Sequence, residues 1–227
     1  LVYENMVEVD DNFKAIPSVI GSWSCNDDAT IWQLNLDTEH EHTFSDGTPV
    51  EGKDLVYSIG YAIYNDRFRG RFASFKGASY NDDGMTVTLG IGDSQFIKLL
   101  NIPVIETVTF EVEAHVPPIG SGPYMYDEEM ITLLANPYYP NSKSLPLQTI
   151  YLQEYTDAEG NLEAFEDGII DVAVNDPSSY TSLGYASSNE IHSYATTNYH
   201  FIMFNEESTF GKSSAFRIAM QYAFDTT

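Results

Sequence analysis

The sequence has little cysteine, little positive charge and no long hydrophobic run. Its one cysteine, Cys25, cannot form an internal disulfide and lacks the partners of a thiolate metal cluster. Ten basic residues stand against 34 acidic ones, and the net charge of −24 would repel a phosphate backbone and anionic lipid headgroups. No apolar run approaches the length of a membrane span. We therefore expect no nucleic-acid partner and no direct membrane span in this segment.

The motifs of catalysis and nucleotide binding are also missing. No serine lies in a G-x-S-x-G elbow, G-K-S-S at 211–214 lacks the upstream glycine of a phosphate loop, and G-S-G-P-Y at 120–124 does not fit G-x-G-x-x-G. Paired carboxylates are so numerous in this acidic chain that no pair identifies a glycoside hydrolase. No nucleophile or nucleotide motif is therefore found, and we expect no catalytic residue and no cofactor.

Two Asn-Asp-Asp runs and a pair of histidines are the candidate metal ligands. Residues 26–28 and 81–83 lack the alternate-position ligands and the distal Glu of an EF-hand loop, so turn geometry is favoured there. His40 and His42 would share one face if residues 38–44 form a strand. Without a visible third ligand, however, the pair suits an exposed edge strand better than zinc. The sequence predicts no metal site.

Apolar and aromatic side chains are abundant. The 227 residues are 43% hydrophobic and 14% aromatic, which is enough for a core of one large domain or two small ones. The 16 tyrosines could line a ligand groove or fill a core, and the core is favoured for most of them. Four of the ten basic residues lie at positions 67–76 among phenylalanines, which predicts a local ion-pairing face in so acidic a chain.

Period-2 and helical patterns follow one another along the first part of the chain. Residues 24–34 and 79–89 each place Asn-Asp-Asp between apolar stretches and predict two hairpins. The stretch 43–59, T-F-S-D-G-T-P-V-E-G-K-D-L-V-Y-S-I, predicts a structural corner rather than a ligand site, followed by a helix over 54–64. Residues 104–116 alternate like a strand.

The second part of the chain predicts further strands and two helices. A strand–turn–strand unit is expected near 120–135, and a β-α-β unit should follow, with a helix capped by Thr156 and Glu159 and stopped at Gly168. Its second strand, 169–174, should be buried and parallel to the first. Two strands are expected over 192–205, and a last helix should start after Gly211 with Ser213 or Ser214 as its cap.

Several segments, taken in order, resemble the extracellular solute-binding proteins of family 5, the receptors for oligopeptides, dipeptides and nickel that feed ABC importers. The segments are L-V-Y-E-N-M-V-E-V-D, I-P-S-V-I-G-S-W-S, F-S-D-G-T-P-V-E-G-K-D-L-V-Y-S-I, I-G-S-G-P-Y, L-E-A-F-E-D-G-I-I-D-V-A and A-F-R-I-A-M-Q-Y-A-F-D. The chain departs from the family pattern at Asp37, where a basic residue is usual, and at Glu51, where a Thr usually caps the helix. The likeness stops where the second lobe of the family begins, so we expect a fragment.

The resemblance implies an α/β fold, a mixed sheet with antiparallel hairpins in a periplasmic-binding-protein-like (type II) lobe. Residues 1–205 would form lobe I, with a hairpin-rich insertion at about 37–116, and residues 206–227 would be the crossing and first helix of a truncated lobe II. The implied function is capture of a peptide or other small solute between two lobes, without bond chemistry, for the ABC permease subunits of the membrane. The protein would be extracellular or periplasmic, anchored as a lipoprotein by a cysteine upstream.

The resemblance also implies which residues face the ligand on this lobe: Tyr3, Glu4 and Asn5 in the opening strand, and Phe204 and Asn205 near the crossing. Tyr3 could equally be a core aromatic. A ligand amine could pair with Glu4, although the usual amine-binding acid of the family lies in the lobe that is absent here. Two other classes remain open from the sequence: a secreted acid-based hydrolase, and a free-standing adhesion or scaffold module.

Overall fold

The computed structural model describes residues 1–107, 117–140, 142–174, 190–191 and 202–223. The chain divides into two compact units, Leu1–Ala186 and Ser187–Thr227, which are described separately below. The first contains nine strands and three helices among its described residues, so the predicted mixture of helix and antiparallel sheet is confirmed.

A four-stranded antiparallel sheet forms the centre of the first unit. In spatial order its strands are β3 (Ile20–Cys25), β4 (Ile31–Leu36), β6 (Gly84–Leu89) and β5 (Phe75–Asn81). The Asn26 side-chain oxygen accepts hydrogen bonds from the backbone N–H groups of Thr30 and Ile31, both at 2.9 Å. The Asn81 side chain accepts from the N–H of Asp83 at 3.0 Å. Both predicted hairpins are confirmed, and each asparagine closes its own turn.

Helix α1 (Gly52–Ala62) packs on this sheet and completes the larger core. Trp32 and Leu34 alternate with exposed neighbours along β4, so one face of that strand belongs to the same buried core as Leu55 and Ile59 of the helix. Burial of each such side chain contributes about 2 kcal/mol. The helix begins two residues before the predicted Asp54 and ends two residues before the predicted Tyr64. A glycine is required at its first position, because a Cβ at Gly52 would collide with the backbone oxygen of Gly84.

Residues 43–50 form the predicted corner before α1. The N–H of Phe44 bonds to the carbonyl of Thr48 at 2.8 Å, and the N–H of Gly47 bonds back to Phe44 at 2.9 Å. Gly47 has a φ of 92°, a conformation that favours glycine. The Asp46 carboxylate accepts from the N–H of Thr48 at 2.9 Å. The Asp46 carboxylate is therefore used within the turn itself, while the N–H of Ser45 bonds to the carbonyl of Gly120 at 2.9 Å and ties the corner to the G-S-G-P-Y loop.

A three-stranded antiparallel sheet follows, in the order β7 (Tyr124–Tyr126), β8 (Thr132–Ala135) and β9 (Thr149–Tyr151), which confirms the strand–turn–strand prediction. Helix α3 (Ala158–Glu166) ends near Gly168, as predicted, with that glycine at a φ of 70°. Its cap is Asp157, whose side chain accepts from the N–H of Gly160 at 2.8 Å, so the prediction of Thr156 is wrong by one residue.

The predicted β-α-β unit is not formed. Residues 169–174 contain no strand, and their side chains at Ile169, Val172 and Val174 are exposed. Strand β9 pairs with β8 in the antiparallel sense instead of with a later parallel strand. The apolar composition predicted burial, but a strand also needs a backbone partner, and the described residues supply none to this run.

The first residues of the chain hold only a short strand, which begins after the predicted site residues Tyr3, Glu4 and Asn5. Strand β1 (Val7–Val9) pairs with β2 (Ala15–Pro17), and α2 (Phe96–Leu99) packs near β1. Residues 104–107 contain no strand, and 108–116 of the predicted strand lie outside the described residues. In the basic cluster, Arg69 forms an ion pair with Asp66 at 3.1 Å. Arg67 and Arg71 lie over the ring of Phe68 at 5.6 and 5.2 Å, so cation–π contacts accompany this pair.

The second unit contains helix α4 (Ser214–Ala223). The Ser213 hydroxyl accepts from the N–H of Phe216 at 3.3 Å, which confirms Ser213 as the cap. The predicted strands over 192–205 fall mostly outside the described residues, and 202–205 contain no strand. Across the described part of the whole chain, no helix has the length and apolarity needed to cross a membrane.

Candidate binding site

The N-terminal segment, residues 1–6, joins the two hydrophobic cores of the first unit. The carbonyl of Val2 accepts from the N–H of Gly122 at 2.8 Å, and that of Glu4 accepts from the N–H of Val104 at 2.9 Å. Val2 packs in the smaller core, whereas Met6 is fully buried in the larger one. The segment is therefore fixed by contacts with distant parts of the chain.

The G-S-G-P-Y motif has a physical reason in this arrangement. A Cβ at Gly120 would collide with the carbonyl oxygen of Val2, and one at Gly122 would collide with that of Leu1. The two glycines let the loop lie directly against the N-terminal segment. The hydroxyl of Ser121, between them, is buried without a hydrogen-bond partner among the described residues.

Tyr3 is half-buried and packs against the smaller core. Burial raises the pKa of its hydroxyl, and the nearby hydroxyls of Tyr126 and Tyr61 add to the shift. Three tyrosines from the N-terminal segment, β7 and α1 therefore lie close together. Part of the Tyr3 side chain therefore contacts the smaller core while part stays accessible.

Glu4 already has an internal partner. Both of its carboxylate oxygens lie within hydrogen-bond distance of His42 Nδ1, at 3.1 and 3.0 Å. The side chains are 14% and 10% exposed respectively, so the pair is largely shielded from water. A ligand amine would therefore compete with His42 for this carboxylate.

Two more side chains complete an acid–histidine cluster of Glu4, Asp37, His40 and His42. His40 Nδ1 lies 2.7 Å from Asp37 Oδ2, and His42 Nε2 lies 3.8 Å from the same oxygen. Burial alone would lower the pKa of His42, but the hydrogen bond and charge of Glu4, together with Asp37, raise it above its ordinary value. The N–H of Glu39 and the His40 ring hold the pKa of Asp37 below its ordinary value.

The predicted edge strand at residues 38–44 is wrong, because 38–42 contain no strand and only Thr43 forms an isolated bridge, with Pro49. The two histidines come together through Asp37 rather than through strand alternation. No group of three or more His, Cys, Asp or Glu among the described residues has the arrangement of a metal site.

The acid–histidine cluster borders an open depression of about 560 Å³. Its polar lining includes Glu4, Ser18, Ser22, Asp37, His40 and His42. The depression lies at the surface where the N-terminal segment meets the loop after β4. Its carboxylates could attract a cationic group, and its hydroxyls and imidazoles could donate or accept hydrogen bonds.

The remaining predicted site residues have local structural partners. Asn5 donates its side-chain N–H to Glu8 at 2.9 Å and forms a backbone bridge with Pro103. In the second unit, Phe204 packs edge-on against Phe216 with ring centroids 6.1 Å apart. The Asn205 side chain accepts from the N–H of Glu207 at 2.9 Å and closes the turn before α4.

The structure thus groups Tyr3, Glu4 and Asn5 in the first unit, while Phe204 and Asn205 belong to the second. Sequence reasoning missed His42 and Asp37 as the surroundings of Glu4. A signal was present at Asp37, where an acid stands in the position of the usual cation. His42 lies further along the same loop, with Nδ1 within hydrogen-bond distance of the Glu4 carboxylate.

Residues 14–227 match the family described as "Bacterial extracellular solute-binding proteins, family 5 Middle". The chain therefore belongs to family 5 of the bacterial extracellular solute-binding proteins, and the resemblance noted in its motifs is confirmed. Residues 3–5 precede the matched range. No curated protein matches the chain in sequence.

Solved structures share the fold at low sequence identity. NikZ from Campylobacter jejuni, in complex with Ni(L-His), is 19% identical with a TM-score of 0.62, over 75% of this chain and 37% of that one. MoaA from A. tumefacien R10, in complex with mannopinic acid, is 20% identical with a TM-score of 0.63, over 75% of this chain and 38% of that one. The oligopeptide ABC transporter substrate-binding domain from Bacillus anthracis is 18% identical with a TM-score of 0.55, over 74% of this chain and 38% of that one. The chain spans less than two-fifths of the length of these structures.

Proposed function

We propose that the chain supplies one ligand-binding lobe of a receptor that captures a small solute outside the cell and delivers it to the permease subunits of an ABC importer. The observation that carries the proposal is the family match over residues 14–227. The proposed activity is binding and release, and no bond is made or broken. The proposed location is extracellular or periplasmic, with a lipid anchor on a cysteine upstream of these residues.

In this proposal residues 1–205 are lobe I, with the hairpin-rich part at about 37–116, and residues 206–227 begin lobe II. Tyr3, Glu4 and Asn5 contribute to the ligand-binding wall on the first unit. Phe204 and Asn205 contribute near the crossing. Support for the first group comes from the half-buried Tyr3 ring and from the depression that borders Glu4. Support for the second rests on its likeness to the family motif.

A peptide is the proposed ligand. One similar structure is the substrate-binding domain of an oligopeptide ABC transporter, whereas two others hold Ni(L-His) and mannopinic acid, so family membership leaves several ligand classes to test. Tyrosines near Tyr3 offer flat amphipathic surfaces for peptide side chains, and main-chain groups of an extended ligand could bond to the wall as an added strand does.

The test is calorimetry on the product of the complete open reading frame that contains these residues. We expect saturable binding of tri- and tetrapeptides, and weaker or no binding of Ni(L-His) and mannopinic acid. Tyr3→Ala should weaken peptide binding at least about tenfold. Tyr64→Ala is the matched control, because Tyr64 is 84% exposed, and it should leave binding unchanged.

Two outcomes would contradict parts of the proposal. Tight binding of Ni(L-His) or mannopinic acid without peptide binding would reject the peptide while keeping the receptor. Turnover of a peptide or glycoside substrate that one carboxylate substitution abolishes would reject the receptor itself.

A further inference from the structure

We propose that His42 is a positioning residue of the binding wall: its imidazolium form holds Glu4, and with it the Tyr3–Asn5 segment, so that ligand capture depends on protonation. This inference rests on the proposed function, because it concerns the regulation of the same site. It is carried by the geometry of the acid–histidine cluster.

Nδ1 of His42 carries a proton in this arrangement. A carboxylate only accepts hydrogen bonds, so the contacts of 3.1 and 3.0 Å from the Glu4 oxygens require a proton on Nδ1. Charge-assisted bonds of this kind are about twice as strong as neutral ones. The short contact therefore fixes the tautomer of a neutral His42 and also favours its cation.

Nε2 of His42 faces a second carboxylate, that of Asp37. This atom is buried, lacks a hydrogen-bond partner among the described residues, and lies 3.8 Å from Asp37 Oδ2. In the neutral ring a lone pair on Nε2 would face the Asp37 carboxylate, which is repulsive. A second proton converts that repulsion into attraction. The two carboxylates thus favour the imidazolium from opposite ends of the ring.

Other titratable side chains lie near the His42 ring, on the loop after β4 and on the N-terminal segment. Asp37 and Glu39 come from the loop after β4, and His40 shares Asp37. Glu4 comes from the N-terminal segment, and its charge helps to raise the pKa of Tyr139, after the larger effect of burial. The histidines are the basic groups in the described lining of the depression, so their protonation decides how far its three carboxylates are balanced.

His42 is connected to the proposed binding wall through Glu4. Backbone bonds hold the segment at Val2 and at Glu4, and Tyr3 lies between these two points. The Glu4 side chain adds a lateral anchor to the loop after β4. When His42 loses its proton, that anchor weakens while the backbone bonds remain. The expected result is a looser Tyr3 and weaker ligand binding, without unfolding.

The sign of the pH effect follows from the raised pKa of His42. The charge-assisted part of the contact is fully present below the unfolded-state pKa of about 6.5. It is lost as pH rises through the higher folded-state value, and the weaker neutral hydrogen bond remains. Ligand affinity should therefore be highest in mildly acid to neutral solution and should fall about tenfold on the alkaline side.

The experiment uses the product of the complete open reading frame and has two arms. In the first, NMR follows the His42 ring and hydrogen exchange of residues 3–6 from pH 5 to pH 9 without ligand. We expect a His42 pKa above about 6.5, a lower value in Glu4→Gln, and faster exchange at high pH after correction for intrinsic rates. In the second, calorimetry measures tri-alanine binding over the same pH range.

Three variants separate positioning from a general structural effect. His42→Gln should bind tri-alanine more weakly with a flat pH profile. His42→Lys keeps a cation at high pH and should restore affinity there. Lys76→Gln is the control, since this exposed basic residue lies on β5, outside the lining of the depression, and it should keep the wild-type profile.

A His42 pKa at or below about 6.5, or exchange of residues 3–6 that does not change with pH, would overturn the proposal. The expected NMR and exchange results without binding of tri-alanine or any other solute would overturn the proposed function and still support the role of His42 in holding the segment.

Discussion

The corner at residues 43–50 and the N-terminal segment, residues 1–6, hold acidic side chains in different ways. In the corner, Asp46 bonds to Thr48, two residues away, and the turn is closed by its own backbone. In the N-terminal segment, Glu4 bonds to His42, 38 residues away. Asp46 has its partner within its own turn, whereas Glu4 depends on a distant partner that can gain or lose a proton. This difference favours a structural role for the first and a regulated one for the second.

The largest expected effect is in the corner. Gly47→Val should lower the free energy of unfolding by about 3 kcal/mol, because valine is strained at a φ of 92° and its Cβ would press on the ring of Tyr138. Urea unfolding measures the loss, and ligand affinity measured under native conditions should change little. Gly77→Val is the control, since nothing lies within 4 Å of a Cβ there and β5 favours valine. A larger effect of Gly47→Val on affinity than on stability would make the corner part of the site.

The next largest effect is in the N-terminal segment and depends on pH. A double-mutant cycle of Glu4→Gln and His42→Gln should give a coupling of roughly 2 kcal/mol near pH 6. That coupling should fall to about half or less well above the raised pKa of His42, because only the weaker neutral hydrogen bond from Nδ1 remains once the imidazolium loses its proton. Urea unfolding at several pH values measures it. A coupling that stays constant up to pH 9 would mean a neutral hydrogen bond and would remove the difference between the two regions.

The contrast between local and distant hydrogen-bond partners also explains which structural features could be predicted from the sequence and which could not. Asn26, Asn81 and Ser213 bond to backbone groups within five residues, and the turns and the cap that they form were predicted. The strand at 169–174 was predicted from apolar composition, which does not reveal whether a partner strand exists. The pairing of Glu4 with His42 needs the fold of the intervening chain. The family motif pointed to Glu4, but nothing local identified its partner.

The smallest expected effect is on the stability of α3 and tests whether a side chain next to the helix caps it. Thr156 and Asp157 are both good capping residues, and the sequence pattern chose the wrong one. Asp157→Ala should destabilise the helix by about 1 kcal/mol, because it removes the acceptor for the N–H of Gly160. Thr156→Ala should change it by less than about 0.5 kcal/mol. Hydrogen exchange of the Gly160 and Asn161 amides measures both, and equal effects would mean that the two side chains share the cap. Even that outcome would leave the cap local, since both candidates lie within four residues of Gly160, in contrast to the distant partner that Glu4 requires.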